Sequence, residues 1–147
     1  MDKTTVANEL NTLLKGEQMA VEAYEKFISA VDNKKIRENF QQIQINHKEH
    51  AGHLSERIQK LGGVPDSNTG ISGVFSNMKL GMQTNGKSSY DVLIMAYDGE
   101  DKGIAATEEV IRGDLDDTSL ALAKNILSHD HDHLKLMLKL ISENQLH

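Results

Sequence analysis

Residues 36–58 of the chain read IRENFQQIQINHKEHAGHLSERI. Apolar side chains recur there every three or four residues, which is the spacing of a helix that buries one face. Two histidines, His47 and His50, fall on the same face between the apolar positions. We therefore predict a long helix whose buried stripe becomes polar at its middle. The apolar members of this stripe are Ile36, Phe40, Ile43, Leu54 and Ile58.

Three further segments of the chain have the same periodicity, so we predict four long helices. The turn and capping residues that separate them are Asp32-Asn33, Gly62-Gly63-Val64-Pro65 and Gly113-Asp114. The predicted helices run from about Thr4 to Val31, from Lys34 to Leu61, from Ser89 to Arg112, and from Asp116 or Asp117 to Asn144.

The lengths of helices and connections predict the architecture. Each helix is roughly 36–44 Å long at about 1.5 Å per residue, which suits a four-helix bundle. Short connections make each pair an antiparallel hairpin, and a middle connection of about 26 residues lets the second and third helices run parallel. We expect one all-α domain over residues 1–147, with two antiparallel hairpins joined by a long crossover. A short helix is expected within this crossover, from the helical spacing of Ile71, Val74, Phe75, Met78 and Met82.

Composition excludes several classes of function. Sixteen Lys and Arg residues against 22 Asp and Glu residues give a net charge of −6, which disfavours nucleic acid as a partner. Aromatic residues make up only 4% of the chain, so base stacking is not expected either. The chain has no apolar run long enough to span a membrane and does not start with a secretory signal. The absence of cysteine excludes thiolate sites, and we expect a cytoplasmic protein without a membrane partner.

The two predicted hairpins are related by a weak internal repeat with an offset of 83 residues. This offset aligns Glu17 with Glu100 and His50 with His133 without a gap. All four interrupt the apolar stripes of their helices, where an ionised side chain is costly to bury unless it is paired or binds a metal. The repeat therefore indicates a polar site that is built twice.

The interruptions of the four stripes are expected at one height in the bundle. A glutamate on one helix with a pair spaced i, i+3 on its neighbour, given twice, is how a bundle builds a two-metal carboxylate site. The alternative is a polar core that is hydrogen-bonded without metal. His53 and His129 flank the stripes, where a solvated edge is expected rather than a role as reserve ligands. The converging candidates are Glu17, His47, His50, Glu100, Asp130 and His133.

These residues resemble the ferritin-like di-iron superfamily, the group of bacterioferritin, rubrerythrin and their short bacterial relatives. The resemblance covers about residues 7–141 and implies a ferritin-like four-helix bundle. Tyr24, seven residues after Glu17, matches the tyrosine that ferritins keep beside the metal pair. The Gly/Ser-rich crossover more closely resembles that of a branch of short ferritin-like bacterial proteins linked with stress or dormancy. The motifs that carry the resemblance are Gly16-Glu17, the run from His47 to His53, Gly99-Glu100 and Asp130-x-x-His133.

The chain departs from this family at the paired ligands. The family has Glu-x-x-His on the second and fourth helices, where this chain has His47-x-x-His50 and Asp130-x-x-His133. The family's usual spacing from the first glutamate would instead make the first pair His50-x-x-His53. In either case a histidine replaces a bridging glutamate, which lowers the negative charge available to two ferric ions.

Two further expectations come from the resemblance. The methionine that ligates haem in bacterioferritin falls near Ala51, so haem is not expected. The chain ends soon after the fourth helix, without the short fifth helix of classical ferritins. We therefore expect a homodimer rather than a closed cage.

The resemblance implies a protein that binds one or two iron ions, oxidises Fe(II) with oxygen or peroxide or sequesters iron, and protects a stressed cell. Tyr24 would donate a hydrogen bond beside the metal or accept an oxidising equivalent. Manganese also suits mixed nitrogen and carboxylate ligands, and three histidines suit zinc. The alternative is a non-catalytic helical bundle, an interaction or stress protein with a vestigial or zinc-type site. The implied ligands are Glu17, His47, His50 or His53, Glu100, Asp130 and His133.

Overall fold

Four long helices make up most of the computed structural model, which describes residues 2–66 and 84–145. Their ends lie within one residue of the predicted ones, and none of them is long and apolar enough to cross a membrane. The short helix predicted in the crossover, over residues 71–82, lies outside the described residues. In chain order the helices are α1 (Lys3–Ala30), α2 (Lys34–Lys60), α3 (Ser89–Ile111) and α4 (Asp117–Gln145).

Capping residues explain where the helices begin and end. The Asn33 side chain accepts a hydrogen bond from the backbone N–H of Ile36 at 3.0 Å, and Ser88 caps α3 in the same way. After α2, Gly62 has a φ of 81°, a conformation that residues with a side chain rarely adopt. The sequence signals for the ends of the helices are thus used as predicted.

Two apolar clusters show the direction in which each helix runs. The first cluster packs the start of α1 and α4 against the end of α2 and α3, and the second packs the opposite ends. Both hairpins are therefore antiparallel, and α2 runs parallel to α3, which confirms the predicted four-helix bundle. The first cluster includes Leu10, Leu14, Leu54, Ile58 and Ile126, and the second includes Phe27, Ile36, Phe40, Leu93 and Leu140.

Polar contacts between the hairpins keep them in register. The Ser89 hydroxyl, at the start of α3, donates to the Asp32 carboxylate at 2.7 Å and accepts from the Asp32 backbone N–H at 3.0 Å. At the other end, Arg57 on α2 pairs with Asp116 before α4, with 2.9 Å between nitrogen and oxygen. Because both ends are tied, the middles of all four helices lie at a common height.

Candidate metal centre

A buried polar layer crosses the bundle between the two apolar clusters. It consists of the six residues that the sequence places at one height, and their exposed fractions are only 1–6%. Each helix therefore directs at least one ionisable side chain into a core that is otherwise apolar. The members of this polar layer are Glu17 on α1, His47 and His50 on α2, Glu100 on α3, and Asp130 and His133 on α4.

His47 lies at the centre of the layer, between two glutamates. Its Nδ1 atom is 2.6 Å from Glu17 Oε2, and its Nε2 atom is 2.6 Å from Glu100 Oε1. Burial alone would lower the pKa of His47, but the carboxylates of Glu100 and Glu17 outweigh it and hold the pKa well above its usual value. Burial likewise opposes ionisation of the two glutamates, and the charge on His47 overcomes it and lowers the pKa of each. The ring is thus an imidazolium that donates to both carboxylates.

Asp130 is the third carboxyl group of the layer. Unlike the two glutamates, it has no histidine nitrogen at 2.6 Å. Its Oδ1 atom is 3.6 Å from His133 Nδ1, and it has no hydrogen-bond partner among the described residues. Burial, followed by the charges of Glu17 and Glu100, raises the pKa of Asp130 to about 9. Without a metal ion bound nearby, this carboxyl group stays protonated at neutral pH.

His50 and His133 each direct Nδ1 towards the centre of the layer. His50 Nδ1 is 3.6 Å from Glu17 Oε2, and no described residue forms a hydrogen bond with it. His133 Nδ1 is 3.4 Å from the Glu100 carboxylate. The outward nitrogens are both occupied, since His50 Nε2 is 2.7 Å from His129 Nδ1, and His133 Nε2 is 2.9 Å from Asn46 Oδ1.

Asn46 and His129 were missed as parts of the site. The expectation that His129 lies at a solvated edge is wrong, because it is half-buried and stacks on His50 with 5.0 Å between ring centroids. The offset of 83 residues maps Asn46 onto His129, so the repeat could have identified both. His53, the other histidine considered as a ligand, is exposed, because six residues after His47 the helix faces away from the layer.

Tyr24 borders the layer on α1. Its hydroxyl donates to Glu100 Oε1 at 2.8 Å, and its ring stacks on His47 with 5.5 Å between centroids. Burial and the Glu100 carboxylate raise the pKa of Tyr24 well above its usual value. The tyrosine is therefore a neutral donor that orients Glu100.

The polar layer contains two overlapping groups of residues that suit a metal ion. In each group one ligand atom per residue lies within 4.8 Å of the others, which gives two nitrogen and two oxygen donors. Such mixed donors suit iron, manganese or zinc. Two buried atoms of the layer, His50 Nδ1 and Asp130 Oδ1, have no hydrogen-bond partner among the described residues, which fits a cation as well. The groups are Glu17, His47, His50 and Asp130, and His47, Glu100, Asp130 and His133.

A cavity of about 140 Å³ reaches the polar layer between α1 and α3. Seven glycines and alanines are among the residues that line it, and they leave space between the two helix backbones. Both glutamates of the layer border it, and it offers a small molecule a path to them. The residues that line it include Gly16, Glu17, Ala20, Gly99, Glu100 and Gly103.

Several solved structures with the same fold are described as bacterioferritin-related or ferritin-like proteins. The bacterioferritin-related protein of Bacteroides fragilis, described as a dodecameric thioferritin, is 19% identical with a TM-score of 0.78, over 97% of this chain and 88% of that one. The DPS protein of Vibrio cholerae O1, described as a ferritin-like diiron-carboxylate protein, is 17% identical with a TM-score of 0.78, over 95% and 91%. A ferritin-like diiron-carboxylate protein of Bacillus anthracis str. Ames is 18% identical with a TM-score of 0.73, over 96% and 98%. The chain thus has the fold of the ferritin-like superfamily, as the resemblance implied.

One family model also matches the sequence. It is described as Domain of unknown function (DUF2383), and it matches residues 5–113. This range covers nearly all of α1, all of α2 and α3, and none of α4. None of the curated proteins compared with the chain is significantly similar to it.

Proposed function

The chain belongs to the DUF2383 family, whose model matches residues 5–113, and we propose that this ferritin-like member binds iron in its polar layer. The observation that carries the proposal is a pair of buried atoms, His50 Nδ1 and Asp130 Oδ1, which lack a hydrogen-bond partner among the described residues. A polar atom buried without a partner is costly, and a cation would satisfy both of these at once.

Iron is favoured by the donor atoms and by the family resemblance. The layer offers three carboxylates and three imidazoles, and iron accepts such mixed oxygen and nitrogen donors. In the first group Glu17, His50 and Asp130 would hold an ion, and in the second Glu100, His133 and Asp130 would do so. Two of the similar structures are described as diiron-carboxylate proteins, which supports the same metal.

Iron bound here would undergo one-electron oxidation. We propose that oxygen or peroxide is the oxidant, so that two Fe(II) ions and two protons reduce one peroxide to two waters. The carboxylates of the layer would stabilise the higher charge of Fe(III), and Tyr24 would hold Glu100 in place by its hydrogen bond of 2.8 Å. The cavity between α1 and α3 would admit the small oxidant. Removing Fe(II) and peroxide together would protect a cell under oxidative stress.

The proposed setting is the cytoplasm, and the proposed assembly is a homodimer. A chain without cysteine has no disulfide to gain from an oxidising compartment. The Bacteroides fragilis protein is described as a dodecamer, which supports self-association of this fold. Light scattering of the purified protein tests the assembly, and a monomer would refute the dimer.

Metal analysis and an oxidation assay test the main proposal. Protein without a histidine tag is loaded with Fe(II) in the absence of oxygen, and the initial rate of Fe(III) formation is measured after addition of peroxide. We expect Glu100→Ala to abolish the rate, because it removes a ligand. The matched control is Glu108→Ala, since Glu108 is exposed on the same helix. If the parent chain binds no iron, or if Glu100→Ala oxidises iron as fast as the parent, the proposal fails.

The second candidate is a non-catalytic bundle with a zinc-type site. This candidate is supported by His47, because its ion pairs with Glu17 and Glu100 at 2.6 Å already compensate two buried carboxylates without a metal. Thermal unfolding with Fe(II), Mn(II) and Zn(II) distinguishes the two candidates, since a ligand at about 100 times its Kd adds about 2.7 kcal/mol to the free energy of unfolding. Stabilisation by Zn(II) together with no iron oxidation would favour this candidate.

A further inference from the structure

We propose that His47 makes the two metal positions unequal, so that each chain binds one divalent ion tightly and a second one far more weakly. The inference rests on the proposed metal binding in the polar layer. It concerns His47, which belongs to both groups of possible ligands.

The first argument is the number of lone pairs on the ring. His47 Nδ1 faces Glu17 and the first group, while Nε2 faces Glu100 and the second group, each at 2.6 Å. A neutral imidazole has one nitrogen with a free lone pair, and the other carries a hydrogen. His47 therefore ligates one ion only, and it presents an N–H to the other position, which repels a cation.

Asp130 behaves differently, although it too belongs to both groups. A carboxylate has two oxygens, and both accept a metal at the same time. One position is thus completed by four side chains and the other by three. The side chains available to the two positions are otherwise equivalent, because the repeat supplies a glutamate and a histidine to each.

The second argument is the charge of the layer. Its carboxylates are Glu17, Glu100 and Asp130, and its remaining ligands are neutral imidazoles once metal is bound. One divalent ion leaves a single negative charge over, whereas two divalent ions leave a single positive charge. All of these residues are at most 6% exposed, so an uncompensated charge is costly there. One proton neutralises the single negative charge left by one ion, whereas no side chain of the layer neutralises the positive charge left by two. The second ion has to bring an anion from solvent, which weakens its binding further.

Together, the two arguments give the two metal positions different roles. The ion that His47 ligates is resident, and the other position exchanges its ion with solvent. In terms of the proposed function, the second position would be the one at which Fe(II) enters as a substrate and leaves as Fe(III) after giving one electron to the oxidant.

Titration with a redox-inert metal tests this inference. Zn(II) is added to the metal-free full chain, and the dissociation constants are measured by competition with a chelator of known affinity. We expect one tight ion per chain and a second at least about 100-fold weaker, since losing even an indirect partner of a ligand costs 10–100-fold. Two ions of equal affinity in the parent chain would overturn the inference and leave the proposed function standing. No bound ion would overturn both.

His47→Glu identifies the cause. This substitution supplies a carboxylate that bridges both positions and adds the fourth negative charge, so we expect two ions of similar affinity. The matched control is His53→Glu, which adds the same carboxylate on the exposed side of α2 and is expected to leave one tight ion. Circular dichroism checks that each variant is folded. A folded His47→Glu chain that still binds one tight ion would refute the assignment to His47. If this variant does not fold, the titration of the parent chain decides whether the inference holds.

Discussion

The Nε2 atom of His50 lies 2.7 Å from the Nδ1 atom of His129 on the facing helix α4. The other hairpin repeats this arrangement, with Asn46 Oδ1 at 2.9 Å from His133 Nε2. Because the repeat aligns Asn46 with His129 and His50 with His133, each hairpin supplies the outer partner for the other hairpin's histidine. Such partners determine which ring nitrogen carries the hydrogen, and they turn Nδ1 of both histidines towards the centre.

The first prediction concerns His129. His129→Phe keeps an aromatic ring to stack on His50 but removes the nitrogen that shares a hydrogen bond with His50 Nε2. We expect Zn(II) to bind the variant about 10–100-fold more weakly, because the tautomer of His50 is no longer fixed. Chelator competition measures this affinity. The control is His131→Phe, two residues along α4 and exposed, which should bind Zn(II) like the parent. Equal affinities of the two variants would contradict the role of His129.

The second prediction concerns pH. The folded chain keeps a proton on Asp130 up to a pKa of about 9, whereas the unfolded chain loses it near 3.8. The pKa of His47 is also raised, above its usual 6.5, so both groups bind more protons in the folded state between about pH 7 and pH 9. The free energy of unfolding of the metal-free protein should therefore fall across this window, by up to about 1.4 kcal/mol per pH unit for each proton.

Urea unfolding at several pH values measures this dependence. Asp130→Asn mimics the protonated side chain and should remove the share of the slope that Asp130 contributes. Asp132→Asn is the control, because Asp132 is exposed on the same helix and should leave the slope unchanged. A metal-free parent whose stability is constant or rises between these pH values would refute the prediction.

The third prediction concerns Tyr24. Tyr24→Phe keeps the ring that packs on His47 and removes the hydroxyl that donates to Glu100. A hydrogen bond to a charged group is worth about 1.5–3 kcal/mol, so the free energy of unfolding should fall by about that amount. Urea unfolding provides the measurement, with Tyr97→Phe on α3 as the half-buried control. If the two variants lose equal stability, the hydrogen bond to Glu100 is not what Tyr24 contributes.

The fourth prediction concerns the cavity between α1 and α3. Gly103 borders it, and a Cβ atom at that position meets nothing within 4 Å. Gly103→Leu should partly fill the cavity and slow iron oxidation by peroxide, while Zn(II) affinity stays unchanged. Replacing a glycine within a helix should also stabilise the fold, by about 0.5–1 kcal/mol. Gly52→Leu on α2 offers the same free space at its Cβ but does not border the cavity, so it should stabilise without slowing oxidation.

The bundle and the polar layer were predictable because both depend on positions along a helix. The periodicity of 3.6 residues places Glu17, Glu100 and His133 on the buried faces, and the short turns place them at one height. Side-chain contacts across helices depend on torsion angles and on the neighbours present. The structure was therefore needed to identify the ion pairs of His47 with two glutamates and the partners of His50 and His133. The repeat offset of 83 residues aligns Asn46 with His129, and this relationship was not used to predict either residue as part of the site.

The polar layer also separates two apolar clusters that lie at opposite ends of the bundle. Each cluster is a hydrophobic core in its own right, and the two meet across a belt of carboxylates and imidazoles. In the metal-free protein the helices contact one another across this belt through ion pairs, hydrogen bonds and stacked rings, and we expect hydrogen exchange at one end to be partly independent of the other. An ion in either position would join ligands from three of the four helices at mid-length, and ions in both positions would join all four. Occupancy of the centre thus determines whether the two halves of the bundle open separately or as one cooperative unit.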